Sequence, residues 1–327
     1  MSYLVEYLAF FARATVELAR GHGTRRYQLV HVHTLPDFLV FATLPLKVRG
    51  VPVILDLHEA MPEFFGSRFH GVSGRLGRAL VALQERASIR YANALITVND
   101  ALRDRLLRLG VPASKVTVVR NVPALARFDA TVGATRTFMS DGALRLVYTG
   151  ALSPIYELDV AIAAVAALAR LRPGLAAQLD LYGRDFAEVP LAALADGLGV
   201  SDRVHFHGRI PIEAVPAALG AADIGLAPTR RSEFTDYSLS TKIFEYAAMR
   251  RPVIASRLPM VERTFGDDVV TYEPGDAEDL AHAVLRIVDV PAEREARVER
   301  ALARVHADPW ELEADRLVAL VESLATG

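Results

Sequence analysis

Short apolar runs alternate with helical segments along the whole chain, and this order constrains the fold more than any other feature. The runs span residues 28–33, 52–58, 94–98, 116–120, 144–149, 178–182, 204–207, 224–227, 252–255 and 269–272. Most are continuously apolar, which is typical of strands covered by helices on both faces of a parallel sheet. Between them lie Ala-, Leu- and Arg-rich segments with helical spacing, such as 158–171 and 276–288. The order predicts an α/β chain of Rossmann-like, doubly wound sheets.

A polar segment divides this pattern. Residues 126–141 (ARFDATVGATRTFMSD) lack apolar periodicity, and we interpret them as a linker. We therefore predict a thin N-terminal domain over residues 1–128 and a complete-looking second domain over residues 140–305. A last helix, over residues 309–325, is expected to pack back towards the first domain, anchored by Trp310.

Composition excludes several classes of protein. The chain has 327 residues, enough for two domains, and a formal net charge of −2. It therefore lacks the basic field that nucleic acid binding needs, and we expect no nucleic acid partner. The chain contains no cysteine, which excludes disulfides and thiolate metal sites and is consistent with a reducing cytoplasm.

The most apolar early stretch, residues 3–18, is interrupted by Glu6, Arg13 and Glu17. A bilayer span needs about 20 largely uncharged residues, so this stretch is interpreted as an amphipathic helix. Its broad apolar side also leaves open a peripheral contact with the inner membrane face.

Ligands of open parallel sheets bind beyond the carboxyl ends of the strands, and two such sheets facing each other form a cleft. His58 follows the second predicted strand, where it either meets a sugar hydroxyl or caps the next turn. Gly150 follows the run 144–149, where the backbone either approaches a diphosphate closely or makes a plain tight turn.

Two arginines also lie just after predicted strands. Arg184 directly follows Gly183, and Arg209 directly follows Gly208, each just after a predicted strand. A guanidinium at either position would pair well with phosphate. The alternative for both is an ordinary solvated loop charge.

The stretch DYSLSTKIFEY, residues 236–246, is the most informative. Ser240 or Thr241 is a good helix N-cap, which places Lys242 in the first turn. A cation there opposes the helix dipole, so an anionic ligand would compensate for it. Glu245 lies one turn further on the same face, where a carboxylate accepts both hydroxyls of a ribose. The alternative is a surface salt bridge between Lys242 and Glu245.

The sequence LSTKIFEYAAMRRPVIAS, residues 239–256, resembles the signature helix of glycosyltransferase family 4, which contains retaining enzymes of GT-B fold. It is most similar to the subgroup that reads L-P-x-K-x-F-E-Y. HVHTLPDFLVFATLPLKVRGVPVILDLHEAMPEFF, residues 31–65, and LVYTGALSPIYELDVAIAAVAAL, residues 146–168, resemble further segments of the family in the same order.

The resemblance implies a GT-B fold whose two domains face a cleft, and transfer of a sugar from a nucleotide-diphosphate sugar to a glycan or lipid-linked acceptor with retention. It implies that Glu245 binds the ribose, that His58 lies near the transferred sugar, and that Gly150, Arg184, Arg209 and Lys242 line the diphosphate site. Tyr237 stands where the common pattern has a second glutamate. No metal and no further cofactor are expected.

The chain departs from the family pattern in two places that keep alternatives open. Residues 150–159 contain no basic residue, and no strand with a glycine-rich loop precedes residue 31, so the N-terminal domain is expected to be incomplete. A catalytically inactive half that binds or scaffolds a partner chain is one alternative. A nucleotide-sugar epimerase that uses Asp56, Glu59 and Glu63 is the other.

Overall fold

The computed structural model describes residues 2–69, 71–128, 135–184 and 190–325. It contains two parallel sheets, and each predicted apolar run contains a strand. The strands are β1 Val30–His33, β2 Val53–Leu57, β3 Ala94–Thr97, β4 Val116–Val118, β5 Ala143–Thr149, β6 Ala176–Tyr182, β7 Val204–Gly208, β8 Ile224–Ala227, β9 Val253–Ser256 and β10 Val270–Tyr272. The prediction of parallel α/β sheets is confirmed.

The helices that cover these sheets follow the predicted alternation. They are α1 Ser2–Arg25, α2 Leu44–Lys47, α3 Met61–Arg68, α4 Gly71–Tyr91, α5 Asp100–Arg108, α6 Leu158–Leu171, α7 Leu191–Gly197, α8 Val215–Gly220, α9 Thr241–Ala248, α10 Pro259–Phe265, α11 Ala277–Asp289, α12 Pro291–Ala307 and α13 Trp310–Ala325. Across the described ranges, none of the helices combines the length and apolarity needed to cross a membrane.

The chain separates into two compact units. The first comprises Met1–Asn121 with Glu311–Gly327, and the second comprises Val122–Trp310. Of the segment interpreted as a linker, residues 129–134 lie outside the described residues.

The first unit is built on the four-stranded sheet β1-β2-β3-β4. Its strands are buried on both faces, because apolar side chains of β2 and β3 point alternately into two clusters. One of these clusters receives α13 through Leu317, Leu320, Val321 and Leu324. The expectation that Trp310 anchors this helix is wrong, since Trp310 remains 42% exposed. The fully buried Glu313 holds the helix instead, by accepting from the Arg120 backbone N–H at 2.9 Å.

The second unit is built on the six-stranded sheet β10-β9-β8-β5-β6-β7. Tyr246 of α9 fixes that helix to the middle of the sheet. Its ring lies directly over Gly225 of β8, where any side chain would overlap it. Its hydroxyl accepts a hydrogen bond from the Thr149 backbone N–H at 3.2 Å. The first turn of α9 is thereby placed beside the end of β5.

The loops that leave β5, β6 and β7 are joined by backbone hydrogen bonds. The Gly150 N–H donates to the Tyr182 carbonyl at 2.9 Å, and the Gly183 N–H donates to the Gly208 carbonyl at 2.8 Å. A Cβ on Gly183 would overlap the carbonyl oxygen of Gly150. Glycine at position 183 is therefore what lets these two loops approach each other.

We predict that Gly183→Ala lowers the free energy of unfolding by about 1–3 kcal/mol, because the added methyl must push the Gly150 loop away. Denaturant unfolding measures this change. The matched control is Gly174→Ala, since nothing lies within 4 Å of a Cβ at that loop position. Equal stability of the two variants would contradict the close packing of the loops.

Candidate functional site

A cavity of about 900 Å³ opens at the carboxyl ends of β5, β6 and β7. Its walls include Gly150, Gly183, Arg184 and Arg209, so the glycine turns and both arginines predicted from the sequence lie around one space. The position agrees with the general rule that open parallel sheets bind ligands at this edge. The two guanidinium groups at its walls make the cavity suited to an anion.

Lys242 lies against the same loop. A Cβ on Gly150 would come within 2.6 Å of the Lys242 Cε, so glycine is what admits the lysine side chain here. Gly150 also has φ +144°, a conformation that other residues rarely adopt. The Lys242 Nζ lies 4.3 Å from the centroid of the Tyr156 ring and 5.2 Å from that of Tyr148. The ammonium is thus held between the glycine turn and two aromatic faces.

The electrostatic state of Lys242 is unusual for a lysine. Burial lowers its pKa to about 8, and the nearby Glu245 only partly offsets this effect. The ammonium also lies in the first turn of α9, where the helix dipole disfavours positive charge. Both effects would be relieved by an anion bound beside it.

Glu245 follows Lys242 by one turn of α9. Burial raises the pKa of Glu245, while Lys242 and Arg127 act in the opposite direction. Ser240 is the N-cap residue, but its side chain makes no capping hydrogen bond, which differs from the expectation of a side-chain cap. Tyr237 ends the 3₁₀ helix Thr235–Tyr237, which precedes α9. Lys242, Glu245 and Tyr237 are not wall residues of the cavity, and Lys242 reaches it only through its contact with Gly150.

A buried network that sequence analysis missed supports the neighbouring loops. Glu157 is 1% exposed and adopts φ +43° at the start of α6. Its Oε2 accepts from the Gly275 N–H at 3.0 Å and from the Tyr272 hydroxyl at 3.3 Å. The same Tyr272 hydroxyl accepts from Ser256 at 2.9 Å. The network ties the loops after β5, β9 and β10 together, and no local sequence pattern predicts it.

In the first unit, His58 belongs to a group that surrounds Asp56. The Asp56 Oδ2 lies 3.2 Å from His31 Nε2, 3.1 Å from His33 Nδ1 and 3.3 Å from His58 Nε2. The sequence pattern points to His58 and Asp56 but not to His31 and His33. The reason is that β1 and β2 pair in parallel with His33 opposite Asp56, which brings together residues more than 20 positions apart.

The group is arranged around one ionised carboxylate. Burial alone would raise the pKa of Asp56, but hydrogen bonds from His31 and His58 outweigh it and hold this pKa well below its usual range. The hydrogen bond to Asp56 in turn raises the pKa of His58. Because the folded pKa is raised, this interaction stabilises the fold at acidic pH and is lost as pH rises through the pKa of folded His58.

His31, His33 and Asp56 also have the spacing of metal ligands, and they form such a group among the described residues. Their ligand atoms lie within 4.8 Å of one another.

A second buried charge group lies in the same unit. Arg105 binds Glu63 through Nε and Nη2, both at 2.8 Å, and Glu85 at 2.9 and 3.0 Å. Asp37 is fully buried, and its pKa is raised to about 7 by burial and by the charge of Glu85. Glu63 is therefore held by an arginine rather than presented to a substrate.

With this geometry in place, comparison with known proteins identifies both units. Residues 3–122 match the model of the "Glycosyl transferase 4-like domain", and residues 143–289 match that of "Glycosyl transferases group 1". Glycogen synthase of Mycobacterium tuberculosis is 29% identical over 290 residues, covering 86% of this chain. This chain spans 65% of the length of that relative. D-inositol 3-phosphate glycosyltransferase of Actinosynnema mirum is 28% identical, covering 95% of this chain and 76% of its own length.

Solved structures of low sequence identity share the fold. Alr3699/HepE of Anabaena, in complex with UDP, has a TM-score of 0.75 at 15% identity, covering 94% of this chain and 82% of its own. Sucrose-phosphate synthase of Thermosynechococcus elongatus has a TM-score of 0.73 at 21% identity, covering 95% and 77%.

The fold is therefore that of the GT-B glycosyltransferases, as the sequence predicted. In sequence, the first part of the chain is similar to glycosyl transferase 4-like domains and the second part to group 1 glycosyl transferases. Assignment to the L-P-x-K subgroup, and the role of each site residue, stay predictions.

Proposed function

We propose that this chain transfers a sugar from a nucleotide-diphosphate sugar to an acceptor, with the donor bound at the carboxyl ends of β5, β6 and β7. The observation that carries this proposal is the partly buried ammonium of Lys242 against Gly150, which lines the same cavity as Arg184 and Arg209. A diphosphate carries the charge that matches these three cations.

The reaction needs positive charge beside the diphosphate. Cleavage of the bond between sugar and nucleotide leaves a diphosphate, and preorganised cations and N–H groups stabilise the charge that develops on it. Lys242, Arg184 and Arg209 would supply that stabilisation themselves. This supports the proposal of a transfer that needs no catalytic metal.

Glu245 is proposed to accept hydrogen bonds from the ribose hydroxyls, because it follows Lys242 by one turn of the same helix. UDP is the natural first probe, since Alr3699/HepE, which shares the fold, was solved with it. His58 is proposed to lie near the transferred sugar, where its raised pKa would let it share a developing charge.

The resemblance to retaining family 4 enzymes supports transfer with retention, and a glycan or lipid-linked molecule as the acceptor. Of the alternatives, the epimerase is disfavoured because Asp56 is engaged by histidines and Glu63 by Arg105. The inactive scaffold predicts weak nucleotide binding or none, and the next experiment separates it from the transferase.

We predict that at least one of UDP, ADP and GDP, at saturating concentration, raises the unfolding temperature by about 3 °C or more. Glu245→Ala should abolish most of this increase, because the ribose loses its acceptor. Differential scanning fluorimetry measures both effects. Glu262→Ala, an exposed change in α10 of the same unit, is the matched control. If no nucleotide shifts the wild-type protein, the transferase proposal fails and the scaffold gains support.

We also predict that nucleotide affinity falls as pH rises above about 8, the pKa of Lys242 in the ligand-free protein. The diphosphate is almost fully ionised by about pH 8, whereas the lysine must gain a proton to bind it at higher pH. The dissociation constant should therefore rise by up to about tenfold per pH unit above this value. Calorimetry at several pH values measures the slope.

The control is Lys242→Arg, whose guanidinium stays charged over this range. Its affinity should be nearly independent of pH, even if it is weaker overall. The same slope in both proteins would show that Lys242 does not meet the diphosphate.

A further inference from the structure

The exposed face of α4, in the first unit, presents leucines to solvent. Leu76, Leu80 and Leu83 are 65%, 59% and 66% exposed, and their spacing of four and three residues aligns them along one side of the helix. Exposed single leucines are common, but an aligned row of them is a patch that usually has a partner.

The buried face of α4 shows that these leucines are not a misplaced core. That face carries small and polar residues where a core helix usually carries leucines. Gly77 packs directly under the Phe65 ring of α3, and Gly74 packs under the Phe69 backbone. Glu85 and Ser88 are fully or almost fully buried. The usual distribution of apolar and small residues is thus inverted over residues 74–88, whereas Ile89 near the end of the helix joins the core.

The charges that flank the leucine row have one sign. Arg75, Arg86 and Arg90 are exposed on the same side of α4. The segment 71–91 contains a single acidic residue, Glu85, and that carboxylate is bound by Arg105. Glu85 also interacts with Arg86, but Arg75 and Arg90 have no acidic residue of this helix other than that buried carboxylate to counter them.

We propose that this face of α4 binds the surface of a membrane that contains anionic lipids. A row of leucines flanked by arginines is the pattern of a helix that lies in the interfacial plane, with the leucines among the acyl chains and the guanidinium groups at the phosphates. The long arginine side chains can reach the headgroups from the edges of the row. A second copy of this chain is disfavoured as the occupant, because the arginines of the two copies would repel each other.

The proposal is independent of the donor site, and it is tested by co-sedimentation with vesicles. The probes are vesicles of equal parts phosphatidylglycerol and phosphatidylcholine, and vesicles of phosphatidylcholine alone. We expect binding to the anionic vesicles that weakens with added salt, and little binding to the neutral ones. Leu80→Glu should reduce the partition coefficient on anionic vesicles by about tenfold or more.

Val48→Glu is the matched control, since Val48 is 73% exposed in the same unit but caps the C-terminus of α2, outside the row. It should bind vesicles like the wild type. Arg75→Gln with Arg86→Gln and Arg90→Gln should weaken binding and flatten its salt dependence. Unfolding temperatures of all variants close to that of the wild type show that the fold is retained.

Three results would overturn the proposal. One is the absence of binding to anionic vesicles. Another is that Leu8→Glu, on the exposed start of α1, removes binding while Leu80→Glu leaves it intact. The third is a wild-type dimer in solution that Leu80→Glu converts to a monomer, with no vesicle binding by either.

Discussion

The candidate site of the second unit depends on the partly buried ammonium of Lys242, whose burial the nearby Glu245 only partly offsets. The depressed pKa of Lys242, about 8, corresponds to a penalty on the order of 3 kcal/mol for keeping the side chain charged. The fold tolerates this penalty because Gly150 leaves room for the chain and two tyrosine rings face the cation. A site of this kind is preorganised for an anion, because a bound anion offsets the free-energy cost of burying the charged lysine.

The geometry around Lys242 depends on backbone close approach more than on side-chain contacts. Gly183 lets the loop after β6 pass directly beside Gly150, and Gly225 lets the Tyr246 ring lie on β8. Tyr246 then fixes α9, and with it Lys242, to the end of β5. The proposed diphosphate site is therefore assembled from elements far apart in the chain, and glycines supply the space at each junction.

Much of the fold could be predicted from the sequence because its information is local. Continuous apolar runs mark the strands, and the bounds of α6 follow from its apolar spacing. The position of part of the candidate site also follows from local sequence. Gly150, Arg184 and Arg209 come just after strands, so topology places them around one cavity. The contacts that the sequence does not predict join residues that lie far apart in the chain. Nothing local links Glu157 to Tyr272, Arg105 to Glu63, or His33 to Asp56.

The size of Trp310 suggests that it anchors α13, but the structure leaves it exposed. The buried Glu313 holds that helix instead.

The most direct test of the central claim is a crystal structure of the protein with UDP, or with whichever nucleoside diphosphate stabilises it most. We expect the diphosphate within hydrogen-bonding distance of Lys242 Nζ, with the ribose hydroxyls at the Glu245 carboxylate. Nucleotide bound elsewhere on the second unit, with Lys242 still packed against Tyr148 and Tyr156 and far from any phosphate, would contradict it.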